Sequence, residues 1–357
     1  MSDRSEMARA FGWQIAGCEA LGAPFSASMM ERALADAEVG GPTAALLIPW
    51  RSFPAKRLIA DAVPLRLLGG LHDLVLSGEV PALSEAYPAP GRGGDADAAW
   101  AAARAALPAN HARLAAFMTH EPQTNEVRRS ACLLGGFLSV VARTGLPLRC
   151  FEVGASAGLN QLWDRYRYAL GDLSWGDPDA PVLIDTDWRG SPPPLPETVA
   201  VSSRAACDRK PVDLADPDAR RRLRAYVWPD QPDRLARLDA AIGAARGAAI
   251  RVEREDAVTW AAHRARPETG AATVLYHSVF WQYLPAESQA ALADALTTLG
   301  AAATAEAPFA WLRMEPPPDN MGIMEVRLTL WPGGEEHLLA HVHPHGAWVD
   351  WLADVPQ

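Results

Sequence analysis

The chain has 357 residues, 49% of them hydrophobic, and a formal charge of −10 from 33 basic and 43 acidic side chains. That balance argues against general nucleic-acid binding, whose affinity comes from phosphate neutralisation. No run reaches the roughly 18 apolar residues of a membrane span, and the start, MSDRSEMARAF, lacks the apolar core of a signal peptide, so a cytoplasmic protein away from the membrane is expected.

Length allows one large or two ordinary domains. Cys18, Cys132, Cys150 and Cys207 stand far apart without a C-x-x-C pair and read as reduced, buried small hydrophobes. Residues 1–146 read as an all-α N-terminal cap domain. Phe11, Ile15 and Cys18 share a helical face, and Ser26 or Ser28 caps a helix through Ala37. One strand-like run, Ala44–Ile48, interrupts the pattern. Arg57 to Leu76 reads as two helices broken at Pro64. After a Pro/Gly loop, Pro88–Gly94, Ala-rich helices are expected at 95–107 and 109–119, then a long helix capped by Thr124 and ending near Gly145.

From residue 147 short apolar runs alternate with helical stretches, which predicts an α/β domain, 147–357, with a parallel sheet and crossover helices. The runs are Leu148–Val153, Val199–Ser203, Ile250–Val252, Thr273–Val279 and Phe309–Met314. Helices are expected at 158–168, 231–246, 256–264 and 286–299. A Pro/Asp/Gly-rich insertion, 171–198, carries a possible strand at Val182–Asp185. Met324–Trp331 and His337–His343 read as a closing hairpin around Gly333-Gly334. The run Arg220, Arg221, Arg222, Arg224 reads as an exposed helix face.

The stretch with most chemistry is LRCFEVGASAGLN, residues 148–160: an apolar strand ending in Glu152, small residues Gly154, Ser156 and Gly158 at a spacing of two, then a helical pattern. A tight turn between strand and helix lets backbone approach a nucleotide-like ligand. The same letters spell G-x-S-x-G, the nucleophile elbow of serine hydrolases, with Asp256 and His277 or His345 following in order. The hydrolase reading lacks the several preceding strands and the HGGG-like oxyanion loop. Glu152 would also oppose an oxyanion.

Five parallel strands closed by a hairpin resemble the class I S-adenosylmethionine-dependent methyltransferases, whose doubly wound, Rossmann-like sheet carries its last strand inserted antiparallel. The resemblance covers residues 147–357. FEVGASAGLN, VWPDQPDR (Val227–Arg234), HSVFWQYLP (His277–Pro285) and His345-Gly346 also resemble an uncharacterised bacterial family catalogued as a domain of unknown function, with the same kind of fold.

The methyltransferase resemblance implies a cofactor, S-adenosylmethionine, and positions for it. Glu152, Gly154, Ser156 and Gly158 match the first-strand motif, with serine where a glycine is usual, and Glu152 falls near the methionine end. Asp208 or Asp213 matches the ribose-gripping acid after the second strand. Asp256 matches the position beside the adenine amine. His277 as a general base and Tyr283 in an acceptor pocket are the catalytic candidates. Asn125, Trp281, Arg313 and Glu315 are candidates for holding a small-molecule substrate. His341, His343 and His345 alternate as a metal pair would on a strand, but no acid sits within the run and Pro344 follows, so they read as a strand end and no metal is expected. A fold that binds a ligand or partner without catalysis stays open beside the enzyme readings.

Overall fold

The structure is a computed structural model that describes residues 5–196, 198–317 and 322–353. Residues 1–4 of the amino-terminal stretch and residue 197 of the insertion lie outside the described residues. The chain divides into two compact units. One comprises Met1–Thr124 and Ala215–Ala236, the other Asn125–Leu214 and Arg237–Gln357.

The first unit is helical: α1 (Glu6–Ala20), α2 (Pro24–Glu38), α3 (Pro42–Leu47), α4 (Ala55–Ala60), α5 (Val63–Ser77), α6 (Pro81–Ala86), α7 (Ala96–Met118) and α9 (Pro217–Ala225). The strand expected at Ala44–Ile48 is helix α3, because Pro42 starts it and Thr43, Leu46 and Leu47 are buried at helical spacing. The two helices expected on either side of 108 are one. Pro108 costs α7 a backbone hydrogen bond, but Ala99, Ala103, Leu107, Leu114 and Met118 form one continuous buried stripe across it. The break near Pro64 is real: Asp61 ends α4, and Pro64 sits in the first turn of α5. The returning segment is fastened by two carboxylates, one buried and one half-buried. Asp73 of α5 holds Arg221 of α9 at 2.8 Å, and Asp230 accepts the backbone N–H groups of Phe25 and Ser26 at 2.7 and 3.0 Å.

The second unit is mixed α/β, with an 11-stranded sheet in the order β3-β2-β4-β11-β10-β9-β8-β7-β1-β5-β6. In sequence the strands are β1 (Leu148–Val153), β2 (Arg167–Leu170), β3 (Leu173–Trp175), β4 (Leu183–Gly190), β5 (Val201–Asp208), β6 (Glu253–Arg254), β7 (Ala272–Ser278), β8 (Phe309–Glu315), β9 (Met324–Trp331), β10 (Glu335–Val342) and β11 (Trp348–Trp351). The stretch β6-β5-β1-β7-β8 is parallel throughout, and the order reverses direction between β1 and β7. Beyond β8, β9, β10 and β11 follow as an antiparallel meander.

Four expectations change here. The last strand is not inserted: β9, first of the hairpin, pairs with β8. Residues 316–323 are too few for the crossover a parallel return requires, so β9 folds straight back. The insertion supplies two strands, β3 and β4, which with β2 just before it extend the sheet past β11. The helix expected at 158–168 is a 3-10 segment, Leu159–Arg165, followed by β2, whose Tyr168 is buried and donates its hydroxyl to Trp163 O at 2.7 Å. The helix expected from Thr124 begins only at Arg129 (α8, Arg129–Thr144) and belongs to the sheet unit, so the cap ends at 124 rather than 146.

Helices α8, α10 (Pro232–Gly247), α11 (Ala257–Arg264) and α12 (Ala286–Ala301) pack with this sheet's unit, α10 beginning in the first one. Phe151, Val153, Leu275 and Phe309 form a core with residues of α11 and α12. Against the opposite face lies α8, and its Gly135-Gly136 pair lets it lie close. A Cβ on Gly135 would stand 2.4 Å from the Trp351 ring, and one on Gly136 2.3 Å from Leu312 Cδ1. Gly135→Ala is expected to lower the unfolding free energy by about 1–3 kcal/mol in urea titrations, the usual range for overpacking. Gly243→Ala in α10, where a Cβ meets nothing within 4 Å, is expected to be neutral or stabilising.

Candidate functional site

The site lies at the C-terminal end of β1, beside the point where the strand order reverses, the usual ligand position in open α/β sheets. Leu148, Cys150 and Glu152 point to one face of β1. Glu152 is only 3% exposed. Its register partner on β7, Tyr276, donates its hydroxyl toward Glu152 Oε2, and the same hydroxyl lies 3.3 Å from the backbone carbonyl of Asn160. Burial pushes the Glu152 carboxyl up to about 8, against the lowering effect of the Tyr276 hydrogen bond, and the charge of Asp208 adds to the rise.

The chain then turns sharply. Gly154, Ser156 and Gly158 have φ of 68°, 54° and 73°. At Gly154 a Cβ would stand 2.2 Å from the Phe280 ring, and at Gly158 2.5 Å from Gln161 Nε2, so close approach as well as positive φ requires glycine at both. Ser156 tolerates the left-handed conformation because both of its backbone groups are tied down. Its N–H donates to Asp208 Oδ2 at 2.9 Å, and its carbonyl accepts from Val212 N at 3.1 Å. Asp208, the last residue of β5, also accepts Lys210 N on Oδ1 at 2.8 Å. The carboxylate of Asp208 is thus fixed at the lip of the sheet, touching the turn.

The backbone donors of the turn are largely spent. Ala155 N–H goes to Cys207 O, Gly158 N–H to Ala155 O and Leu159 N–H to Asn125 Oδ1 at 2.9 Å. The segment that follows is 3-10 rather than a regular helix. This is therefore not a phosphate cradle, which needs free N–H groups and a helix N-terminus. Two buried acceptors do lack partners: Ser156 Oγ and Asn160 Oδ1, in residues 7% and 2% exposed.

The structure brings Glu152, Gly154, Ser156, Gly158 and Asp208 together. Asp256 stands past the end of β6 as the N-cap of α11, accepting Val258 N and Thr259 N at 2.9 and 3.3 Å. Asn125 is a buried cap for Leu159. His277 has no nitrogen left for base chemistry. Nδ1 bonds to Glu315 Oε1 at 2.7 Å, Nε2 accepts from Trp311 Nε1 at 3.0 Å, and the ring is fully buried. Glu315 Oε1 also accepts the N–H groups of Phe280 and Trp281, so Glu315 and His277 fix the loop after β7. Arg313 pairs with Glu336 and lies 4.1 Å over the Trp311 ring, rather than joining Glu315. Trp281 stacks on His277 at 5.8 Å, and Tyr283 is 73% exposed. Among the described residues no group of His, Cys, Asp and Glu has the placement of a metal site.

The surroundings of the turn do not supply a nucleophile elbow's partner at His277. Ser156 Oγ has no hydrogen-bond partner, both nitrogens of His277 are engaged elsewhere, and the Ser156 N–H faces a carboxylate. Sequence reasoning missed Tyr276 as the partner of Glu152 and Asn160 as the second partner of that tyrosine. Asn160 closes the signature stretch and Tyr276 is the aromatic residue before His277, but only the β1–β7 register sets Tyr276 against Glu152, and only the fold of the 3-10 segment brings the Asn160 carbonyl to its hydroxyl.

No helix among the described residues is long and apolar enough to cross a membrane. Searches of curated proteins and of solved structures gave no match to this chain. A family model described as "Uncharacterized protein conserved in bacteria (DUF2332)" matches residues 8–351, through both units, and the chain belongs to that family.

Proposed function

We propose that the turn at Gly154–Gly158 binds S-adenosylmethionine and that the protein transfers its methyl group to a small-molecule acceptor. The observation that carries this reading is the carboxylate of Asp208, fixed by Ser156 N–H against the left-handed turn at the end of the neighbouring strand. A carboxylate there accepts both hydroxyls of a ribose. The spent backbone donors and the acidic residues Glu152, Asp208 and Asp256 favour a nucleoside cofactor without phosphates over a dinucleotide. The resemblance to methyltransferases rests on the parallel half, β6-β5-β1-β7-β8; the meander beyond β8 departs from their hairpin. S-Adenosylmethionine would supply an electrophilic methyl group, and the protein's part is to hold it in line with the acceptor.

Isothermal titration tests the reading. S-Adenosylmethionine and its demethylated product are expected to bind the wild type, and Asp208→Ala to weaken both at least tenfold, the loss of about 1.4 kcal/mol or more for a charge-assisted hydrogen bond. Absence of heat at millimolar ligand overturns it. Binding without turnover over an acceptor panel leaves a ligand-binding protein on the same fold.

A further inference from the structure

The hydrogen count around Tyr276 bears on the state of Glu152. The Tyr276 hydroxyl carries one hydrogen but has two acceptors at 3.3 Å, Glu152 Oε2 and Asn160 O. With Glu152 ionised, one contact sets oxygen against oxygen without a proton. With Glu152 protonated, the carboxyl donates to the tyrosine oxygen, the tyrosine donates to Asn160 O, and both contacts are satisfied. The surroundings agree. Glu152 has no ion-pair partner among the described residues and is 3% exposed. Facing it are Tyr276 from β7, Asp208 from the end of β5 and Tyr166 after the 3-10 segment, with Cys150 of its own strand acting on Tyr276. Glu126 lies beyond Asn160, whose Nδ2 reaches its backbone carbonyl. Arg204 of β5, the cation of this region, is committed to Asp164 by bonds of 2.7 and 2.9 Å. A buried carboxyl with an acid beside it and no cation keeps its proton.

We infer that Glu152 is a proton store linked to the charge of the ligand, protonated before binding and ionised when a cationic ligand arrives. One O–H bond breaks, the proton leaves to solvent, and the ligand's positive charge takes its place as counter-ion. This rests on the cofactor reading above, and it makes the site discriminate by charge. S-Adenosylmethionine carries a sulfonium that its demethylated product lacks, so the charged form expels the proton more completely. After methyl transfer the sulfonium charge is gone and Glu152 takes a proton back, which weakens the hold on the product. The position of the carboxyl at about 8 puts the exchange within the neutral range.

Titration calorimetry at pH 7 in two buffers of different ionisation enthalpy measures the protons released. S-Adenosylmethionine is expected to release close to one and its demethylated product clearly fewer. The affinity ratio of the two should rise with pH, approaching tenfold per unit below the transition. In Glu152→Gln the proton release should vanish and the ratio become flat. Binding with no buffer-dependent heat overturns the inference and leaves the cofactor reading standing. If neither ligand binds, the cofactor reading fails and the protonation state is still decided by difference infrared spectra of wild type against Glu152→Gln at pH 6. A carboxylic-acid band in the wild type alone supports a stored proton, and its absence contradicts one.

Discussion

Glu152→Gln is expected to be more stable than the wild type at pH 8, by an amount that grows steadily from about pH 4.5. The carboxyl's ordinary value is 4.5 and burial raises it to about 8 in the folded protein. A group raised on folding contributes its full stability below the unfolded value and loses it as pH rises through the folded value, because the unfolded chain gives up its proton first. Each unit of separation is worth about 1.4 kcal/mol, so the window carries on the order of 5 kcal/mol. Glutamine has the shape of the acid and no proton to lose, so its profile should lack this fall. Urea midpoints of both proteins at pH 5, 7 and 9 check it, since other titrations cancel in the difference. Parallel profiles would mean that Glu152 is ionised and compensated in the folded state.

Gly154→Ala is expected to cost about 2–5 kcal/mol, from two separable sources. The left-handed φ of 68° strains a residue with a Cβ by about 1–2 kcal/mol. The new methyl also meets the Phe280 ring, 2.2 Å away, which adds an overpacking cost of about 1–3 kcal/mol. Removing the ring separates them. In Gly154→Ala/Phe280→Ala the overpacking part should disappear, giving a coupling of about 1 kcal/mol or more in a double-mutant cycle, while the backbone strain remains. Ser156 shows that the turn accepts a side chain at φ 54° where its N–H donates to Asp208 and its carbonyl accepts from Val212 N–H. Gly154 has the ring against it instead. Additive effects of the two substitutions would contradict the contact.

The parallel half of the sheet was legible because strands buried on both faces read as apolar runs, and Leu148–Val153 or Ala272–Ser278 cannot hide among helices. The turn was legible too, since Gly154 and Gly158 stand where φ is positive. What failed depended on distances along the chain and across strands. The hairpin was foreseen but its order was not: the brevity of residues 316–323 forces β9 onto β8, and apolar patterning says nothing of that. The reach of α8 onto the sheet was missed although Gly135-Gly136 marks a helix pressed against a neighbour. His277 looked like a base because histidine often is one. Its buried state follows from Trp311 and Glu315, two alternate residues of β8 that meet it on one face of the sheet. Asp208 gained weight for the same kind of reason: β5 runs five residues further than its apolar run, and that carries the acid to the turn.

The most direct measurement is a crystal structure grown with the demethylated product of S-adenosylmethionine at saturating concentration. Density is expected across Gly154–Gly158 at the end of β1, with the ribose hydroxyls on Asp208 and the amino-acid end toward Glu152. Ligand bound elsewhere, or no ligand at the turn at millimolar concentration, would contradict it.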